Sequence, residues 1–341
     1  MTWFDESRLD NEVALSAADL RLRSLAESGS RVRAEYARAQ EAIADAVDRA
    51  SQQRPRAVVA AGPDSRLLRA VLEPWCPVPF VAWPNPGLPG WAGPMDLVVV
   101  LAPDGSDVGA ASAVAEAIRR GCQVVVACHP NSLVGEHATG RDVTILPAAA
   151  SDQTALAVAM LAFLAQVQLG PATDPESVAV ALDEVAIANS PHRDLSINPG
   201  KLLAISLADS VPVVWGGSVL AARAARRVAE AIRRASGRTS IAGDADQLFP
   251  VIEASRPHDV FDDPFADESR ELRPILVVLD DANADPAVVA VRKRLVAEAD
   301  HRGVRVEIID TSAGSEIARY AALMLQGRYA AEYLGIGLVD D

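Results

Sequence analysis

One order of elements runs through this chain twice, and that repetition restricts the fold more than any single motif. In the first half the apolar run Ala57–Ala61 meets Gly62 and a helical stretch, Ser65–Leu72. Leu97–Leu101 follows, then a polar loop, Asp104-Gly105-Ser106-Asp107, an Ala-rich helix ending at Arg120-Gly121, and Val124–Val126. In the second half Val211–Trp215 meets Gly216-Gly217 and an Ala/Arg helix. Ile275–Leu279 is then followed by Asp280-Asp281, a helix ending at Arg302-Gly303, and Val304–Ile309. Leu97 and Gly121 are 24 residues apart and Leu276 and Gly303 are 27 apart, so the order repeats and the spacing does not. Unbroken Val/Leu/Ile runs separated by helices suit strands buried on both faces of a parallel sheet. The expected fold is α/β, with two doubly wound parallel-sheet domains and strands near 57–61, 97–101, 124–126, 143–146, 211–215, 275–279 and 304–309.

A chain of 341 residues can build two such domains, each with its own core. Residues 1–54 read as an N-terminal helical extension, since Ser16–Ser28 and Arg31–Ala50 carry apolar residues at three- and four-residue intervals. The first domain is expected over 55–172 and the second over 173–341. Their junction is placed at Pro171–Pro175, after a helix over 152–169 that stops at Gly170-Pro171. Pro74–Pro94, which holds seven prolines, and the acidic Ser255–Arg273 read as irregular.

Lys and Arg number 32 against 46 Asp and Glu, a net charge of −14, with no basic stripe. Nucleic acid and anionic membrane are therefore excluded as expected partners. Met1–Glu6 lacks the charged start and apolar core of a signal peptide, and Ala155–Leu164 is too short to span a bilayer, so a cytoplasmic location is expected. Cys76, Cys122 and Cys128 show neither metal-ligand nor CxxC spacing and read as small buried hydrophobes. No metal and no cofactor are expected. No G-x-G-x-x-G follows a strand, which disfavours a dinucleotide-dependent dehydrogenase.

In a doubly wound sheet ligands sit beyond the carboxyl ends of the strands. Those ends point to the loops at Gly62–Ser65, Pro103–Asp107 and His129–Ser132 in the first half and Gly216–Ser218 in the second. Gly62, Ser65, Asp104, Gly105, Ser106, Asp107, Gly216 and Gly217 are thus candidate ligand-binding residues. The helix after Ser106 is expected over 106–120, with an acidic residue as its N-cap. His129, His137, His192 and His301 have no ligand spacing or nucleophile partner and read as structural or exposed.

Asn198-Pro199-Gly200-Lys201-Leu202-Leu203-Ala204, followed by Pro212-Val213-Val214-Trp215-Gly216, resembles the opening of the second domain in the two-domain bacterial and archaeal phosphoglucose/phosphomannose isomerases, which are built from sugar-isomerase (SIS) domains. Gly327–Ile336 is similar to that family's closing helix, and Pro79–Leu88 to the short strand before its phosphate loop. The resemblance implies two SIS-like domains and a sugar phosphate or related carbohydrate derivative as partner, with a homodimer as the candidate assembly.

The departures fall where chemistry should be. The family's S-x-S-G-N-T phosphate loop corresponds to Ala102-Pro103-Asp104-Gly105-Ser106-Asp107, with carboxylates at two hydroxyl positions, and the G-x-G-G-S turn corresponds to Ala60–Ser65. Two carboxylates beside a phosphate dianion oppose its binding. The resemblance places the family's catalytic Arg at Gln153, which joins the ligand-binding candidates. It leaves Glu230 and His258 as the catalytic candidates, Glu230 also reading as an i,i+4 surface partner of Arg226 or Arg234. No counterpart of the family's C-terminal catalytic Lys is expected among the residues ending Asp340-Asp341. The expected function is binding of a carbohydrate derivative with isomerisation weak or lost. The alternative is an active hexose-phosphate aldose–ketose isomerase with a rearranged site.

Overall fold

The computed structural model describes residues 3–50, 54–255, 272–311 and 314–339. Packing divides the chain into one unit over Ser28–Val180 and a second made of the residues up to Glu27 together with those from Ala181 onward. The N-terminal helices are shared between the two units, and the Pro171–Pro175 segment lies within the first.

The chain begins with β1 (Trp3–Phe4), a short 3-10 turn, α1 (Glu12–Ala17) and α2 (Asp19–Ala26), all in the split unit. The continuous unit follows as α3 (Ser28–Ala50), β2 (Val58–Ala61), α4 (Ser65–Leu72), β3 (Phe80–Trp83), β4 (Leu97–Ala102), α5 (Val108–Arg119), β5 (Gln123–Cys128), α6 (Leu133–His137), β6 (Val143–Pro147) and α7 (Gln153–Gln166). The chain crosses to the split unit within α8 (Pro175–Ala188). There follow α9 (Pro199–Leu207), β7 (Ser210–Gly216), α10 (Val219–Ser236), β8 (Ile241–Ala242), α11 (Ala245–Glu253), β9 (Arg273–Asp280), α12 (Pro286–His301), β10 (Val306–Asp310), α13 (Glu316–Gly337) and β11 (Leu338–Val339).

The five-stranded sheet has the order β3-β2-β4-β5-β6 and the four-stranded sheet the order β10-β9-β7-β8. Every pairing within each is parallel. Taken from its first strand, each sheet adds the second strand on one side and the third and fourth on the other. The repetition in the sequence is therefore a repetition of topology. β2 and β4 are buried at every position, as the unbroken apolar runs require. The strands expected from the sequence all form, and β3, an edge strand, rises out of the proline-rich stretch.

α7 is buried from Thr154 to Leu164 because it is covered by α3 while packing on β4 and β5. In the split unit α13 plays the matching part, packed on α9 and α10. The helices α13 and α10 approach tightly at Gly327, where a Cβ would collide with Val228 of α10. Asn198 caps α9, its Oδ1 accepting from the Gly200 and Lys201 amides at 3.1 Å each. Lys201 is fully buried, and its Nζ donates to Asp10 Oδ1 at 2.6 Å, Pro191 O at 2.8 Å and Arg193 O at 3.0 Å. All three ammonium protons are satisfied, which lets a charged group sit there. β1 pairs antiparallel with β11, Trp3 opposite Val339.

Candidate functional site

The continuous unit holds a cleft of about 350 Å³ at the carboxyl edge of its sheet. Three loops line it: Pro103–Ser106 after β4, His129 and Asn131–Leu133 around the start of α6, and Ala148–Ser151 after β6. Its volume falls at the small end of the roughly 300–1,000 Å³ typical of small-molecule sites. Of the ligand-binding candidates, Asp104, Gly105 and Ser106 line it, together with the expected His129–Ser132 loop. His129, read from the sequence as structural or exposed, thus stands in the cleft wall.

Gly105 makes this edge compact. It has φ +67°, a conformation that favours glycine, and a Cβ there would strike the Ser132 side chain. The Gly105 amide donates to Ala102 O at 3.1 Å and its carbonyl accepts from the Val134 amide at 3.0 Å. Ser132 is equally committed, since its hydroxyl donates to His129 O at 2.6 Å and accepts from the Gly135 amide at 3.2 Å. His129 Nδ1 accepts from the Asn131 amide at 3.1 Å, so the neutral ring carries its proton on Nε2. Asp104 is exposed and makes no hydrogen bond or ion pair with any described residue.

The wall after β6 is fixed from beneath. Glu35 of α3 is 3% exposed, and its carboxylate accepts from the Ala149 amide at 2.9 Å and the Ala150 amide at 3.0 Å. Arg38 stands 3.6 Å from it and is itself half-exposed. Asp152 caps α7 and pairs with Arg31 at 2.8 Å, which anchors the far end of the same loop. Nothing local in the sequence marks Glu35, which sits in an amphipathic helix more than a hundred residues from the amides it holds.

The remaining candidates lie elsewhere. Asp107 caps α5, accepting from the Ala110 amide at 2.6 Å, and that helix spans Val108–Arg119 rather than 106–120. Gly62 has φ +85° and would place a Cβ 3.4 Å from that of Ala110, so the start of α5 packs against the turn after β2. Ser65 is fully buried, with no partner for its hydroxyl among the described residues. The Gln153 amide donates to Asp64. These contacts draw the turn after β2, α5 and α7 together at the topological switch point between β2 and β4, where a ligand is ordinarily expected, whereas the cleft described above lies over β4, β5 and β6.

In the split unit a Cβ on Gly216 would collide with Ala221 and one on Gly217 with Val288. The Ser218 hydroxyl donates to Asp281, so the switch point between β7 and β9 is bridged. Glu230 receives hydrogen bonds from Arg227 at 2.8 Å and Arg234 at 2.7 Å, as one member of an ion-paired trio on α10. Arg226 faces Asp244 instead. His258 lies outside the described residues. Among the described residues no group of three or more His, Cys, Asp or Glu is placed to hold a metal, and no helix is long and apolar enough to cross a membrane.

The fold defined by these two sheets is that of the SIS phosphosugar isomerases and their relatives. Residues 196–338 match the family model of the bacterial phospho-glucose isomerase C-terminal SIS domain. Tagatose-6-phosphate ketose/aldose isomerase from Escherichia coli has a similar structure, with 12% identity over 92% of this chain and 90% of that one and a TM-score of 0.65. The C-terminal domain of glucosamine-fructose-6-phosphate aminotransferase from Francisella tularensis is similar at 13% identity over 92% and 95%, with a TM-score of 0.63. A glucose-6-phosphate isomerase like protein from Thermus thermophilus is similar at 17% identity over 83% and 82%, with a TM-score of 0.51. No curated protein matches the chain in sequence.

Proposed function

We propose that the protein binds a carbohydrate derivative in the cleft over β4, β5 and β6, and that hexose-phosphate isomerisation is weak or lost. The observation that carries this reading is the lining itself. Ser106, His129, Asn131 and Ser151 offer hydroxyl, imidazole and amide groups suited to sugar hydroxyls, while no Lys or Arg lines the cleft. The SIS fold supports a sugar-type ligand, and the altered phosphate loop supports weak chemistry. Aldose–ketose isomerisation needs a base at C1/C2 and a group that stabilises the enediolate. The one described catalytic candidate, Glu230, is engaged by two arginines.

The test is a coupled assay with glucose 6-phosphate and mannose 6-phosphate. Each missing catalytic group is worth about two or more decades. Turnover below about 1 s⁻¹, the lower end of ordinary enzymes, is expected. Faster turnover would restore the active-isomerase reading and direct mutagenesis to Glu230 and His258.

A further inference from the structure

We infer that the cleft beside Asp104 selects a sugar bearing a free amino group, its ammonium resting against the Asp104 carboxylate, over the corresponding sugar phosphate. This rests on the reading of the cleft as a carbohydrate site and adds the ligand's charge to it.

The first support is the charge of the lining. Asp104 is an exposed carboxylate without a partner among the described residues, and no cationic side chain lines the cleft to receive an anion. The second is an accounting of backbone donors. An oxyanion in such a loop is held by N–H groups, and most of those here are engaged. Gly105 donates to Ala102 O, Asn131 to His129 Nδ1, and Ala149 and Ala150 to Glu35. Glu35 counts because it removes two of these donors from the cleft, its own charge being met by those amides and by Arg38 at 3.6 Å. The third is what the cleft still offers. The His129 Nε2–H, the Ser106 hydroxyl and the Asn131 carboxamide suit the hydroxyls of a sugar ring. The field attracts a cation, and the free polar groups recognise a polyol. An amino sugar is the ligand class that presents both.

Calorimetry on the full chain with glucosamine, glucose, N-acetylglucosamine and glucose 6-phosphate tests this, with amide NMR shifts locating each ligand. Glucosamine is expected to bind about five- to tenfold more tightly than glucose or N-acetylglucosamine, the range for one half-solvated ion pair. Glucose 6-phosphate is expected to bind most weakly, and each bound sugar is expected to move the Gly105, Ser106 and His129 amides. Asp104→Asn should bring glucosamine down to the level of glucose. N-acetylglucosamine makes the same charge test from the ligand's side, with the protein untouched. If glucosamine and N-acetylglucosamine bind alike, or glucose 6-phosphate binds most tightly, while the same amides move, the charge preference is wrong and the carbohydrate site stands. If none of the sugars moves those amides, both readings fall.

Discussion

At the scale of single residues, the two carboxylates of the loop after β4 do different work. Asp104 faces the cleft and holds nothing, whereas Asp107 caps α5. Replacing them with Ser and Thr removes like charge and restores two hydroxyls, and Thr retains most of the capping function. The double variant is expected to bind glucose 6-phosphate about tenfold or more tighter by calorimetry, with stability within about 1 kcal/mol of the parent. Unchanged affinity would show that the phosphate group is not refused at this loop. Cys128, at the end of β5, gives a second test. Burial pushes its thiol up from 9.0 to about 11, against a smaller opposing effect from a hydrogen bond with Ser132. Between pH 9 and about 11 the unfolded chain loses this proton while the folded chain keeps it. The unfolded state is then favoured, and stability falls across that window. A thiol reagent at pH 8 should therefore label Cys122 and Cys128 slowly in the native protein and all three cysteines rapidly after denaturation. Rapid native labelling of all three would contradict the packing described.

At the scale of elements, the central strands and the edge strands β6 and β10 could be read from their composition, and the edge strands β3 and β8 could not. β2, β4, β5, β7 and β9 are continuous apolar runs because they are covered on both faces. β3 is half-buried and lies between Pro79 and Pro84, and an edge position tolerates this because one side of the strand has no ladder to complete. β8 is only two residues long, too short to show a period. For the site, two of the three lining loops, Pro103–Asp107 and His129–Ser132, could be read from the rule that ligands sit at strand carboxyl ends. The wall after β6 and its Glu35 support could not, since they depend on a pairing made by tertiary structure alone. Motif similarity also marked Asn198–Ala204 without showing why Lys201 is there; its partner Asp10 lies 191 residues away. The crossing of α10 and α13 yields a test. In a free helix Gly→Ala stabilises by about 1 kcal/mol, yet at Gly327 the new methyl would meet Val228. Gly327→Ala should destabilise by about 1–3 kcal/mol in denaturant unfolding. Val228→Ala in the same chain should recover part of that loss as a positive coupling in a double-mutant cycle. Additive effects would mean that the two helices do not meet at this pair.

At the scale of the whole molecule, the repeated topology does not mean repeated use. Both sheets place a glycine turn at the first strand and a polar loop at the third, and the elements at the switch point meet differently, by packing of Gly62 near Ala110 in one and by the Ser218–Asp281 hydrogen bond in the other. The arrangement of the chain has a further consequence in time. β1 pairs with β11, and the segments they bracket belong to one unit although the whole of Ser28–Val180 lies between its two parts. During synthesis the continuous unit can close its core as soon as its own residues emerge. The first 27 residues must wait for partners from Ala181 to Val339. At about 5–20 residues per second, that wait is roughly a quarter of a minute to a minute. On ribosomes stalled at successive lengths, Ser28–Val180 should gain protease resistance early. The segment before it should stay cleavable until β11 has cleared the exit tunnel, a clock that the finished protein no longer displays.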